Sequence, residues 1–258
     1  MADPTPSTGA LAGRTALVTG SGRNIGRAIA LALAAQGARV VVNGHADAAA
    51  VDGVVAELRA TGAPAIGVMA DVSRDDEVAR LLAEAQAAFG GVDIVVSNVG
   101  IRRKQPFLEI TPDQWDEVLR TNLSAAFYLA RHAIPGMRAR RWGRIVLISG
   151  FDGFWGQVTE RAHNITAKAG LHGLAMALAR EFGPDGITAN TVAPGAIDTE
   201  RDWSQYTHQL RERITAEIPL GRYGRPDEVA AACELLCSER GGFISGQVIH
   251  VNGGHYMY

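Results

Sequence analysis

The chain has 258 residues, 47% of them hydrophobic, with 25 Lys or Arg against 27 Asp or Glu and a formal net charge of −2 at pH 7. That apolar fraction suffices for one large core, and the near-neutral balance excludes the broad basic footprint of a nucleic-acid binder. No apolar run reaches membrane-spanning length, and two cysteines, Cys233 and Cys237, exclude the disulfide framework of a small secreted domain.

Residues 1–10, rich in Pro, Ser, Thr and Gly, read as a flexible tail without the basic and apolar regions of a signal peptide. Residues 11–258 read as one domain. Short β-branched runs then alternate with longer Ala/Leu-rich stretches of helical spacing. A strand at 15–18 leads into a helix at 25–36, and 39–42 into 46–61. A strand at 66–68 precedes a helix at 74–89, and 92–97 precedes a long helical stretch at 111–140. There Thr111 and Pro112 supply an N-cap and a first-turn proline, with Gln114 placed for a capping box. Pro135 and Gly136 predict a kink or an early end of that stretch. A strand at 144–148 precedes a helix at 164–182, and 188–192 precedes a less regular polar stretch. A helix at 229–237 and a strand at 248–251 complete the chain. Cys233 and Cys237, four apart, share one face of that last helix as small buried hydrophobes, which fits a reducing cytoplasm.

Apolar strands bounded by glycine and alternating with amphipathic helices predict an α/β fold, a doubly wound parallel β-sheet covered by helices on both faces. The basic runs Arg102, Arg103, Lys104 and 138–141 are short, suited to solvated faces or a local anion contact and not to a polyanion.

Thr19, Gly20, Ser21, Gly22, Arg23, Asn24, Ile25 and Gly26 follow the first strand and open the first helix. In a Rossmann fold that placement lets the backbone approach a pyrophosphate, while the helix N-terminus offers N–H groups and a positive dipole end. An NAD-selective site wants a carboxylate after the second strand, about 20 residues on, for the ribose 2′-OH. Here the strand ends Val42, Asn43, Gly44, His45, with no carboxylate before Asp47. Arg23 adds a cation that can meet a 2′-phosphate, so NADP(H) is preferred over NAD(H); the plain alternative for Arg23 is a solvent-facing loop residue.

Ordered motifs along 13–254 resemble those of the short-chain dehydrogenases/reductases. Thr19 to Gly26 is similar to the family's TGxxxGIG turn, and Asp71 with Val72 resembles the pair that holds the adenine. Ser97, Asn98, Val99 and Gly100 resemble the NNAG strand end, and Asn122 the active-site Asn. Lys168 falls on the Lys of YxxxK, and Pro194, Gly195, Ala196, Ile197, Asp198 and Thr199 resemble the segment beside the nicotinamide. Residues 221–229, 245–247 and 252–254 match the C-terminal signature. The resemblance implies a Tyr exchanging the substrate proton, a Ser on the carbonyl, a Lys on the ribose that also lowers the Tyr pKa, and an Asn supporting a water relay. It further implies a homotetramer or homodimer assembled through 229–251, alongside the cytoplasmic location that the cysteine usage fits.

The departures carry the most information. Counting back from Lys168, the Tyr position is Asn164, and the Ser position is Gly150, with Ser149 one residue earlier and an intervening segment about one residue longer than usual. Asn24 stands at the turn's middle glycine, a tolerated change. An amide does not titrate near neutrality, so Asn164 orients a carbonyl or a water. His163 has a suitable unperturbed pKa, but adjacent helix residues diverge by roughly 100°. It is therefore either an acid/base or a packing residue. Gly150, Phe151, Asp152, Phe154 and Trp155 follow the fifth strand at its carboxyl end and are expected to line the substrate pocket, with Asp152 a proton donor or a turn residue. Tyr128 sits one and a half turns past Asn122 and faces elsewhere. Tyr206, in a stretch similar to the family's lid, and Tyr256 and Tyr258, through a neighbour's tail, offer further hydroxyls. Lys168 is one of two lysines in a chain that otherwise uses Arg, which suits a compact ammonium on the ribose.

These residues point to an NADP(H)-dependent oxidoreductase with an atypical proton source, without a metal. Its substrate is a small apolar or aromatic carbonyl, or an activated C=C or C=N compound. The 2,4-dienoyl-CoA reductases, similar in keeping the Lys and lacking the Tyr, are a precedent in kind. The alternatives are a non-redox isomerase, lyase or hydrolase retaining the dinucleotide, and a nucleotide-sensing binding protein.

Overall fold

The computed structural model describes residues 9–156, 159–200 and 207–257. Seven strands, β1 (Thr15–Val18), β2 (Arg39–Gly44), β3 (Ala65–Met69), β4 (Ile94–Ser97), β5 (Gly143–Ile148), β6 (Ile187–Pro194) and β7 (Val248–Val251), form one sheet. Its order is β3-β2-β1-β4-β5-β6-β7, and every pairing is parallel, as in Leu17 opposite Val41 and Val95 opposite Ile145. The chain leaves β1 toward one edge and returns to start β4 on the other side of β1. The carboxyl ends of β1 and β4 thus frame the crevice where such sheets bind ligands.

The helices are α1 (Asn24–Ala35), α2 (Ala48–Ala60), α3 (Asp75–Phe89), α4 (Pro112–Leu119), α5 (Ala125–Arg140), α6 (Ala162–Phe182), α7 (His208–Glu217) and α8 (Pro226–Cys237). Strand side chains alternate between two apolar layers, as the two-residue period of a strand requires. Ala16, Val18, Ile94 and Val96 pack with Ile29 and Leu33 of α1, Val54 of α2 and Cys233 of α8. Leu17, Val95, Ile145 and Leu147 pack with Leu81 of α3, Leu129 of α5 and Leu171 of α6. Cys233 and Cys237 are buried free thiols; burial raises both pKa values, Cys237 to about 12.

One local expectation holds and two change. The Thr111–Gln114 capping box forms at the start of α4. Pro135, however, lies inside α5, which runs on to Arg140. The irregularity falls instead on a π-helical turn at Arg120–Ser124, which carries Asn122; such bulges recur where a helix must aim a functional side chain. The polar stretch after β6 contains a regular helix, α7, capped by the Thr207 side chain on the Leu210 N–H at 3.2 Å.

Candidate active site

The crevice is built first from backbone. Gly20 has φ +59° and Asn24 φ +52°, the left-handed region that glycine enters freely and asparagine more readily than most residues. A Cβ at Gly26 would lie 2.3 Å from the Gly20 oxygen and 2.7 Å from Asn98 Nδ2, so only glycine permits the close turn. Asn98 Nδ2 donates to the oxygens of Thr19 and Gly20 at 3.0 and 3.2 Å, bracing the turn from the end of β4. Ser21 Oγ donates to the Val18 oxygen at 2.7 Å and accepts from the Asn43 N–H at 3.1 Å, tying the turn to β2.

The first turn of α1 carries no acidic residue and its N-cap, Arg23, makes no side-chain capping bond. The N-terminal dipole end is thus left to a ligand, and the cradle fits an anionic pyrophosphate. Asn24 takes over a task glycine has no side chain for. Its Nδ2 donates to the Glu200 oxygen at 3.3 Å and its Oδ1 accepts from the Glu200 N–H at 2.7 Å, joining the turn to the segment after Pro194 and Gly195. Arg23, Asn24 and Thr199 line a cavity of about 590 Å³, while Ile197 is buried in the first apolar layer and Ile25 packs against it.

At the end of β2 the two specificity candidates diverge. His45 is exposed. Asn43 is buried, and its Nδ2 donates to the oxygens of Gly44, Val68 and Ala70 at 3.2, 3.1 and 3.2 Å. Asn43 is thus a brace between β2 and β3, leaving Arg23 and His45 as the accessible groups. Asp71 caps the next turn, accepting from the Ser73 N–H at 3.0 Å, beside a buried Val72.

Four of the expected residues meet at the end of β4. A Cβ at Gly100 would lie 3.4 Å from Lys168 Nζ and 3.5 Å from Asn122 Oδ1. Asn122 reads the next residue twice, accepting from the Ile101 N–H at 2.7 Å and donating to the Ile101 oxygen at 2.9 Å. Asn164 donates to that oxygen at 2.7 Å and accepts from the Arg103 N–H at 3.2 Å. The amide at position 164 therefore holds the segment after β4. Lys168 Nζ donates to the Ile148 oxygen at 2.8 Å. Burial, and then the Arg102 charge, push its pKa down to about 8, against the opposing effect of Asp152.

The side chains of Ser149 and His163 make other contacts. Ser149 is buried, with Oγ 2.9 Å from His172 Nε2 and 3.4 Å from the Val192 oxygen. His172 is held neutral, its pKa pushed to about 4 mainly by burial and further by His250 and Lys168. The buried His163 ring accepts from the Asn164 N–H at 3.1 Å, and burial lowers its pKa, with Arg103 acting the same way. At Gly150 an added Cβ meets nothing within 4 Å, so the position is open.

The loop after β5 gathers aromatic rings. Phe151 and Trp155 lie 5.6 Å apart, Phe154 stacks on His172 at 4.1 Å, and Tyr256 stacks on Phe154 at 6.0 Å. Tyr256 thus packs on the aromatic loop of its own chain. Tyr128 packs with Phe127 and the second apolar layer. Tyr206, Tyr258 and most of the tail at 1–10 lie outside the described residues. Phe151, Asp152 and Trp155 line a cavity of about 430 Å³ with Arg102, Arg161 and His255. The sequence reading missed Arg161 and His255. Their only signal was proximity to the aromatic loop in one case and to the C-terminal Asn-Gly-Gly in the other.

Residues 20–256 match the family described as Enoyl-(Acyl carrier protein) reductase. The chain is 40% identical to the 3-oxoacyl-(acyl-carrier-protein) reductase of Aquifex aeolicus over 95% of its length and 98% of the relative's. It is also 40% identical to the same reductase of Pseudomonas aeruginosa, covering 96% of this chain and 99% of that one. Among solved structures, one from Agrobacterium tumefaciens, provisionally described as a gluconate dehydrogenase, superposes with a TM-score of 0.90 at 35% identity, over 95% of this chain and 96% of the other. The glycine turn, the parallel sheet and this full-length likeness agree: the chain belongs to the short-chain dehydrogenase/reductase family of NAD(P)-dependent oxidoreductases.

Proposed function

We propose that this protein is an NADP(H)-dependent reductase or dehydrogenase acting on a small apolar or aromatic substrate, with a proton source other than the family's tyrosine. The observation that carries the reading is the pairing of a nucleotide cradle, Lys168 and Asn122 with an amide, Asn164, bonded to backbone where the acid would stand. The bound dinucleotide supplies or accepts the hydride.

The chain's own residues then divide the remaining work. The turn at 19–26 and the N-terminus of α1 hold the pyrophosphate, and Arg23 with His45 favours the 2′-phosphate. Asp71 and Val72 border the adenine, Asn98 and Gly100 the inner crevice, and Pro194, Gly195, Ile197 and Thr199 the nicotinamide side. Lys168 holds the ribose, and Asn122 positions a water.

Two amides supply no proton, and the His163 ring is buried with its Nδ1 accepting from the Asn164 N–H, its pKa lowered by that burial. A water is therefore the favoured donor, and Asp152 the side-chain alternative. Without a tuned acid, reduction of an activated C=C or C=N bond suffers less than reduction of a simple ketone.

The test is NADPH oxidation against matched ketones, enones and cyclic imines. Turnover of enones or imines above the ketones, with a lower KM for NADPH than for NADH, is expected. Cofactor binding without consumption by any of them would refute the reading. Assembly into a homodimer or homotetramer through 229–251 is part of the proposal, supported by the exposed Phe243 beside the half-buried β7. A monomer by light scattering at micromolar concentration would overturn that part.

A further inference from the structure

The segment at 195–200, which follows β6, is fixed to one wall of the crevice at its base and tied to the other wall at its far end. At the base, the Gly195 N–H donates to the Val251 oxygen at 2.9 Å. Ile197 and Gly224 form a short parallel bridge. In it the Asp198 N–H donates to the Gly224 oxygen at 2.8 Å, and the Gly224 N–H to the Ala196 oxygen at 2.9 Å. The approach is close on both sides. A Cβ at Gly195 would lie 2.7 Å from Asn252 Cβ, and one at Gly224 2.8 Å from Ile197 Cδ1.

The far end belongs to Glu200, which spends both of its backbone groups on one side chain. Its N–H donates to Asn24 Oδ1 at 2.7 Å, and its oxygen accepts from Asn24 Nδ2 at 3.3 Å. Asn24 is the first residue of α1, so the tie spans the helix N-terminus, where an anion is received. Gly22, Arg23 and Asn24 from the turn and Asp198, Thr199 and Glu200 from the segment line one cavity.

Conformation alone does not account for Asn24. Its φ of +52° is one that asparagine tolerates and glycine adopts freely. Glycine would therefore serve the turn equally well, but it has no side chain to reach a residue 176 positions away.

We propose that Asn24 is a latch that sets how fast the dinucleotide enters and leaves the crevice, by tying the segment at 195–200 across the glycine turn. It is a positioning residue, remote from the reacting atoms. Both bonds join protein to protein and use no cofactor atom. Such a tie favours the closed arrangement with or without bound dinucleotide, so it slows entry and exit alike and changes affinity little. A direct contact to the cofactor would instead change release and Kd together. Two exposed hydrogen bonds are each modest in net strength, which sets the expected change in rate at about fivefold to tenfold. The inference goes beyond the proposed reaction, since it rests on the dinucleotide cradle and needs no substrate.

Asn24→Gly removes the side chain where the backbone suits glycine, and thermal denaturation checks that the variant is folded. Stopped-flow fluorescence gives the association rate of NADPH, and displacement by excess NADP⁺ gives its release. Both rates are expected to rise about fivefold to tenfold, while Kd stays within about twofold. Hydrogen exchange at the Glu200 N–H should quicken in the variant, because that amide loses its acceptor.

Unchanged entry and release, even with faster exchange at Glu200, would make the tie merely structural and overturn the latch. Faster release with Kd raised by the same factor would make Asn24 a cofactor contact and overturn it as well. Saturable binding of neither NADPH nor NADH to the unaltered protein would refute the nucleotide cradle itself, and this inference with it.

Discussion

Asn122 and Asn164 share one acceptor: both side-chain amides donate to the carbonyl oxygen of Ile101, at 2.9 and 2.7 Å. Asn164 is thereby part of the scaffold that shapes the segment after β4. That pairing sets the first prediction.

Asn164→Ala removes the bonds to the Ile101 oxygen and the Arg103 N–H and leaves those backbone groups partly unsatisfied. The expected loss is about 1–3 kcal/mol of stability, read by urea denaturation. Gly150→Ser should be nearly neutral by the same measurement, since its Cβ meets nothing within 4 Å and the glycine φ is 179°, ordinary extended backbone. The double variant Asn164→Tyr with Gly150→Ser places a phenol and a hydroxyl beside Lys168. A gain of about 10²-fold in simple ketone reduction is expected, the lower range for a positioned general acid; no gain would show that the loop geometry itself excludes the usual chemistry.

Lys168 gives a pH signature. Its folded pKa of about 8 lies below its ordinary 10.5, so the ammonium is lost as pH rises through about 8. KM for NADPH should climb above that pH, and stability should rise between about 8 and 10.5, because there the unfolded chain binds the extra proton. Lys168→Arg stays charged and should flatten the KM limb while lowering kcat, since the larger fork cannot repeat the 2.8 Å contact with the Ile148 oxygen.

His172 acts at the other end of the scale. Its pKa falls from 6.5 to about 4 on folding, so between those values the unfolded state holds more protons and stability declines as pH falls. Denaturation midpoints between pH 7 and pH 4 should show this slope, shared with His163 and His250, whose values burial also lowers. In His172→Gln, which can keep a bond to Ser149 Oγ, the slope should be shallower; an identical slope would remove His172 from the acid limb.

Cys233 and Cys237 should be silent toward an aromatic disulfide reagent in the native protein. Both are buried in α8 and their pKa values lie above the ordinary thiol range, so almost no thiolate exists at neutral pH. Two thiols should react once denaturant unfolds the chain. Native reaction faster than global unfolding would mean that α8 opens locally.

The alternation of strands and helices was legible without coordinates, because burial on both faces of a parallel sheet writes continuous apolar runs and helical periodicity into the chain. The glycine turn was legible for a related reason. Gly20 and Gly26 obey backbone geometry that any pyrophosphate-binding βα turn must satisfy. The absence of a tyrosine at 164 and a serine at 150 is likewise a fact of the sequence alone.

What replaced them was decided in three dimensions. The amide of Asn164 had several plausible partners by type, and only the packing of α6 against the segment after β4 selected the Ile101 oxygen. Asn43 read as a cofactor contact until its place inside β2 showed three backbone oxygens around its Nδ2. The cavity beside the aromatic loop joins Arg102, Arg161 and Arg213, which belong to three separate stretches of chain. Charge that gathers through tertiary packing leaves no periodicity to read, whereas charge or hydrophobicity that recurs along one helix or strand does.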